Sequence, residues 1–497
     1  MLRTSLLSTP FRIAAAAIAA CLVLPFAMTS PLSSLAVDDV AAKRAPGFFS
    51  VRKEPDGKWW IISPEGKRFI SKGVCTAGYW QDFIRGTTRS PYNEACQAKY
   101  GSQPAWRTAA ARRMMGWNFN SLGAWADDAL AKVEPEGGGA RLTRSPILNM
   151  GSRWVKELAM RRSASADAWL HGIFPDVFDP GFADFCKKIA NEDCTPHAED
   201  KGVLGWFSDN ELRWGPDWRS KDDILLSFLN MQPDTAGRKA AAEYLEKAYK
   251  SDIAEFNKIW KSSFADWKAV ATNTTVLKSP YPRKEVYMQN KDSEEKANTE
   301  EPGRARYVAD CEGFMPLLAE RYFKATTEAI RAAAPNHMVF GCRFAYVPSK
   351  PVVDSAAHWL DIVSFNAYSL DPTSSVERYA AFGRPLIIGE FSFRGKDSGL
   401  PNSKGAGPVV QTQADRARCY QNYVYYLMAH PQVVGYHWFE HADEPKEGRF
   451  DGEDSNYGLV NIKDEPYEEF VRVVQDVNSK AEAWHQSPPP KEEIVKN

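Results

Sequence analysis

Trp206-Phe-Ser-Asp-Asn-Glu-Leu212 and Pro385-Leu-Ile-Ile-Gly-Glu-Phe391 are compact apolar runs that each close on a carboxylate, Glu211 in the first and Glu390 in the second. Each has the length and apolar content of a buried strand. A glutamate at the end of such a strand adds little to packing, and its charge is costly to bury without a partner. Six further runs of the same kind flank these two. The candidate strands are Arg68–Val74, Trp117–Gly123, Pro146–Met150, Val203–Ser208, Met338–Arg343, Asp361–Asn366, Leu386–Phe391 and Val433–Phe439. Amphipathic stretches lie between them, among them Ala105–Met115, Phe182–Ala190, Met315–Ala334, Gln413–Ala429 and Tyr467–Ala483. Strands alternating with helices predict an α/β fold with parallel strands, most simply closed as a (β/α)8 TIM barrel. An open doubly wound sheet is the alternative, but no GxGxxG turn follows the first strand.

Ahead of the first strand, Phe48–Ile70 alternates polar and apolar residues around Pro55-Asp-Gly57 and Pro64-Glu-Gly66. It reads as a small N-terminal β-hairpin capping the barrel. A large helical insertion is expected after strand 4, with helices near Lys221–Asn230, Thr235–Lys250 and Asp252–Lys261, then a polar loop at Asn290–Arg304. Insertions at that place wall the face where catalytic residues of such barrels sit. The tail Pro488–Asn497 is proline-led and charged, and is expected to be disordered. One catalytic domain over residues 37–487 is expected.

Residues 1–36 read as a secretory signal: Arg3 and Arg12 precede the apolar Ile13–Met28, and Ser34-Leu-Ala36 offers small residues for cleavage. A membrane anchor is the competing reading; the stretch is short of the ~20 residues a span needs, and Pro25 interrupts it. Ile18-Ala-Ala-Cys21 only faintly resembles a lipoprotein box. The mature chain is expected to be secreted or periplasmic. With 62 basic against 63 acidic residues and a net charge of −1, it carries no electrostatic footprint for nucleic acid or anionic lipid. Beyond Cys21 the cysteines are Cys75, Cys96, Cys186, Cys194, Cys311, Cys342 and Cys419, an odd set without a CxxC pair. Cys75 and Cys342 read as buried core residues, while a Cys186–Cys194 bridge stays open. His437 and His441 have i, i+4 spacing but follow a strand, so no metal or cofactor is expected. Oligomeric state is left open.

Two carboxylates at strand ends suit glycoside hydrolysis, one protonating the leaving oxygen while the other attacks the sugar or activates water. The competing reading is two surface glutamates in salt bridges. Asn210 beside Glu211 could bond a sugar 2-hydroxyl, or merely cap a turn. The 16 tryptophans offer flat faces for sugar rings as well as packing material. Trp125 and Trp214 are candidate subsite walls on that basis.

An Asn-Glu ending strand 4 and a glutamate ending strand 7 resemble clan A of the glycoside hydrolases, the retaining (β/α)8 enzymes. Asp56-Gly-Lys-Trp-Trp-Ile-Ile-Ser-Pro-Glu-Gly66, Gly116-Trp-Asn-Phe-Asn-Ser121, Asp176-Val-Phe-Asp-Pro180 and Asp451-Gly-Glu-Asp-Ser-Asn-Tyr-Gly-Leu-Val460 further resemble the β-agarases of family 50. Asp252–Trp267 is similar to the clan's β-galactosidases. The resemblance implies that Glu211 is the general acid/base, its pKa raised by an apolar setting and the nucleophile's charge. It implies that Glu390 is the nucleophile, the two carboxyls about 5–5.5 Å apart. Tyr368 in Ser364-Phe-Asn-Ala-Tyr368 would orient the nucleophile, and Trp438 would be a sugar-stacking platform. Arg343 could pair with Glu390. The acidic loop holding Glu440, Asp443, Asp451, Glu453 and Asp454 is solvated, binds sugar, or holds calcium. Such agarases commonly carry an additional N-terminal domain, for which residues 37–47 leave no room. The expected partner is a polysaccharide or oligosaccharide: agarose first, then galactan, mannan or glucan, or a β-galactosidase substrate. A non-catalytic sugar-binding protein is the rival from another class.

Overall fold

The computed structural model describes residues 44–495, so the expected signal segment lies outside the described residues. The chain begins with three short antiparallel strands: β1 (Ser50–Lys53), β2 (Trp59–Ile62) and β3 (Arg68–Phe69), in the order β1-β2-β3. This is a three-stranded meander where a two-stranded hairpin was expected. Phe49, Val51 and Ile61 pack against Leu204, Met338, Ile362 and Val434, which lie at or just before the starts of later strands. The meander therefore closes the N-terminal end of the parallel strands.

Those strands are β4 (Ser71–Val74), β5 (Ser121–Leu122), β6 (Thr143–Arg144), β7 (Gly205–Asn210), β8 (Met338–Arg343), β9 (Val363–Asn366) and β10 (Leu386–Phe391). A parallel pair, β11 (Arg394–Gly395) and β12 (Val409–Val410), stands apart, and β13 (Val433–Trp438) completes the set. Six strands form one parallel sheet in the order β6-β5-β4-β13-β10-β9, and β7-β8 form a second. Isolated parallel bridges join the two sheets at both seams: Arg144 to Val203 and Ile147 to Phe207 on one side, Phe344 to Phe365 on the other. Helices intervene between most of these strands, so the architecture is mixed α/β.

Several boundaries differ from expectation. The run Arg68–Val74 splits between β3 and β4. Trp117–Gly123 contributes only β5, because the helix Gln103–Gly116 runs on almost to Trp117. Pro146–Met150 contributes only the isolated bridge from Ile147 to Phe207: the ladder with β5 falls earlier, at β6, and Met150 opens the helix Met150–Arg161. The segment expected as a polar loop at Asn290–Arg304 is mostly the helix Lys291–Glu300, begun by the Asn290 side chain accepting from the Ser293 N–H at 2.8 Å. Within the insertion, Asp252 likewise caps Ile253–Trp260 through the Glu255 N–H. The tail carries a helical turn, Lys491–Ile494, whose Ile494 carbonyl accepts from Gln421 at 2.7 Å. All seven cysteines between Cys75 and Cys419 are free thiols, so Cys186 and Cys194 do not bridge. Among the described residues no helix is long and apolar enough to cross a membrane.

Candidate active site

Glu211 follows directly on β7, where its N–H donates to the Arg343 carbonyl at 2.8 Å and extends the β7–β8 ladder by one residue. Its φ of +47° then turns the chain out of the strand, an unusual conformation for a glutamate. Glu390 lies inside β10, paired in register with Asn366 of β9. The ladder is irregular on either side of Gly389. A Cβ there would stand 2.7 Å from Cδ of Arg343 and 2.8 Å from Oδ1 of Asn366. Only glycine lets the arginine pass beneath the sheet at this point.

The two carboxylates are 8% and 5% exposed, and both line a single cleft of about 1160 Å³. Their partners are opposite in kind. Glu390 receives the fully buried Arg343 guanidinium on Oε1 at 2.5 Å and the Tyr368 hydroxyl on Oε2 at 2.7 Å. Arg343 also donates to the Gly389 carbonyl at 3.1 Å. Glu211 receives neutral donors only: Nδ2 of Asn366 on Oε1 at 2.8 Å and the Trp169 indole N–H on Oε2 at 3.2 Å. Burial pushes the Glu390 carboxyl up to about 7; Arg343 opposes this, the charge of Glu211 adds to it, and the Tyr368 hydrogen bond pulls back down. Burial together with the charge of Glu390 holds the Tyr368 hydroxyl well above its ordinary value, so it remains a donor.

Of the other residues expected here, Asn210 lines the cleft at the end of β7, next to the Asn366 amide. Trp125 is 39% exposed in the wall, its ring 4.4 Å from the Arg343 guanidinium. Arg343 itself is fully buried beneath Glu390, pairs with that carboxylate and does not line the cleft, so it is placed to hold the carboxylate and not to touch a sugar. Two tryptophans are elsewhere. Trp438 is fully buried: its ring faces Phe391 and Phe470, and its N–H donates to the Tyr457 carbonyl at 3.0 Å. It points into the helical layer and is no platform. Trp214 is stacked at 6° on Phe323, with Phe174 against its edge, and is core as well.

The acidic loop after β13 is not solvated. Arg449 sits within it, 2.7 Å from Glu453, 2.9 Å from Glu444 and 3.0 Å from Asp451, with Glu440 and Asp82 at 3.9 Å. Burial raises the carboxyls of Asp82, Glu440, Glu444 and Glu453, and Arg449 opposes it in each case. Asp443 is instead bonded to Asn456, Gly458 and Tyr467, and Asp454 to the Ser403–Lys404 turn. Among the described residues no group of histidines, cysteines or carboxylates is arranged to hold a metal ion.

Sequence reasoning missed Asn366, Trp169 and the exposed cleft aromatics Trp218, Tyr287 and Phe450. Asn366 was within reach, ending β9 two residues before Tyr368. Trp169 lies on an irregular segment that no periodicity marks.

No protein-family model matches the chain. Among curated proteins it is 28% identical over 503 residues to Beta-agarase B of Vibrio sp. (strain JT0107), covering 88% of this chain and 48% of that protein. To Beta-agarase A of the same organism it is 28% identical over 521 residues, covering 90% of this chain and 47% of that protein. The chain thus spans about half the length of these curated relatives. Among solved structures, an exo-β-agarase superposes with a TM-score of 0.67 at 23% identity, covering 90% of this chain and 66% of that one. Another agarase does so with the same score and identity, covering 89% and 66%. The fold described above is therefore one it shares with solved agarases.

Proposed function

We propose that the chain is a glycoside hydrolase that cleaves β-galactosidic bonds of agarose or its oligosaccharides by double displacement, with Glu390 as nucleophile and Glu211 as acid/base. The observation that carries this is the asymmetry of the two carboxylates in one cleft. Glu390 is held by a cation and a hydroxyl, which favour its ionised form and fix its orientation for attack. Glu211 is held by uncharged donors and can take up and release a proton. In the first step a Glu390 oxygen bonds the anomeric carbon as the glycosidic bond breaks, and Glu211 gives its proton to the leaving oxygen. In the second, Glu211 takes a proton from water, and that water releases the sugar from Glu390.

Asn210 lies where it can meet the 2-hydroxyl, and Trp125 where a sugar face can stack. The cleft exceeds the ~300–1,000 Å³ of ordinary small-ligand pockets, which favours a substrate of several sugar units. The likeness to Vibrio β-agarases supports agarose as that substrate. The two parallel sheets, joined by their seam bridges, are read as one (β/α)8 barrel of the retaining clan A kind with both carboxylates at its C-terminal face. The signal-like pattern of residues 1–36 supports a location of the mature protein outside the cytoplasm.

The test is incubation of purified protein with agarose, agaro-oligosaccharides and other β-glycans, followed by product sizing. Release of agaro-oligosaccharides alone is expected. Release from galactan, mannan or glucan but not agarose would replace the substrate, and no release from any would favour a binding protein.

A further inference from the structure

Both oxygens of Glu211 are occupied in the free protein, by donors that differ in how firmly they are held. Asn366 is 4% exposed, sits on β9 and donates at 2.8 Å. Trp169 is half-buried on the irregular segment between the helices Met150–Arg161 and Gly181–Asp193, and donates at 3.2 Å. Its ring lies 6.1 Å from Phe450 and 5.9 Å from the Arg219 guanidinium, both cleft residues, and its carbonyl accepts from Arg219 at 3.3 Å. An acid that protonates a glycosidic oxygen needs one oxygen turned to the substrate and carrying the proton. A protonated Oε2 would be a donor facing another donor, the Trp169 N–H.

We propose that Trp169 is a positioning residue that holds Oε2 of Glu211 in the free protein and surrenders it to the glycosidic oxygen when a sugar chain enters, while Asn366 keeps Oε1 throughout. This rests on Glu211 being the acid/base. Oε2 is then the oxygen that carries the proton: it passes to the glycosidic oxygen as that oxygen takes the electron pair of its bond to the anomeric carbon. The indole, freed of its hydrogen bond, is left beside Phe450 in the wall of the leaving-group side.

The charged and titratable groups that act on Glu211 are Glu390, Arg343, Tyr368 and Cys342, from the ends of neighbouring strands, and Glu453 from the loop after β13. Substitution of Trp169 leaves all of them in place. The pH dependence of kcat/KM reports the free protein and that of kcat reports the complex. In Trp169→Phe the N–H that favours the carboxylate form is gone from the free protein only. The high-pH limb of kcat/KM should move up by about 0.5–1 pH unit while that of kcat stays in place. Asn366→Ala should move both limbs. Trp169→Leu, also lacking the N–H, serves if the phenylalanine variant fails to fold. Limbs that move together in the Trp169 variants, or that do not move at all, overturn the exchange. Full activity of Glu211→Ala at every pH would instead remove the acid/base assignment beneath it.

Discussion

As the proposed nucleophile, Glu390 stands under two opposing demands, since attack requires its ionised form while burial favours its neutral form. The buried Arg343 and the Tyr368 hydroxyl answer the first demand, and the raised value near 7 records the second. A nucleophile works as its carboxylate, so turnover is present above that value and lost as pH falls through it. The low-pH limb of kcat/KM is expected near pH 7, well above the ordinary glutamate range, and a limb near 4 would show that Arg343 wins outright. Glu211→Ala should lose activity most on substrates with poor leaving groups, by roughly 100-fold or more. Added azide should restore part of it on activated aryl glycosides; no rescue would point to another proton donor. Both carboxylates were legible because each ends an apolar run. Their partners were legible only in part. Arg343 and Tyr368 stand at strand ends too, whereas Trp169 reaches Glu211 from a segment whose path only tertiary structure sets.

The strands show where local pattern suffices and where it fails. β8, β10 and β13 fall close to their expected limits because their apolar runs are buried on both faces. β5 and β6 are two residues long, too short for any periodicity to fix. The helix Lys291–Glu300 was hidden by its charge: a solvated helix and a polar loop share a composition. Trp214 and Trp438 were misjudged for a related reason, since a strand or loop tryptophan reads the same whether it faces helices or solvent. That difference is measurable. Trp214→Ala removes a ring stacked in the core and should cost about 3–5 kcal/mol in denaturant unfolding. Trp125→Ala removes a half-exposed wall and should change stability little while raising KM roughly tenfold, or ~1.4 kcal/mol. The reverse pattern would restore Trp214 as the subsite wall.

Across the chain, function depends on contacts between residues far apart in sequence. β7 and β10 bring Glu211 and Glu390 to one cleft, Asn366 of β9 reaches the first while pairing with the second, and Trp218 and Tyr287 of the insertion form part of the rim. The alternation of strands and helices made the parallel architecture legible. The cleft itself was not, because its shape comes from loops and from the helical insertion. The same is true of the Arg449 cluster: the sequence displays its acidic residues, but not the guanidinium they close around. The proposed function unites these parts in a covalent step at Glu390, and that proposal can be tested directly. A 2-fluoro galactosyl fluoride, whose second step is slow, should add its sugar mass to the intact protein, and peptide mapping should place the adduct on Glu390. An adduct on another residue, or turnover with inversion of the anomeric centre and no adduct at all, would contradict the assignment.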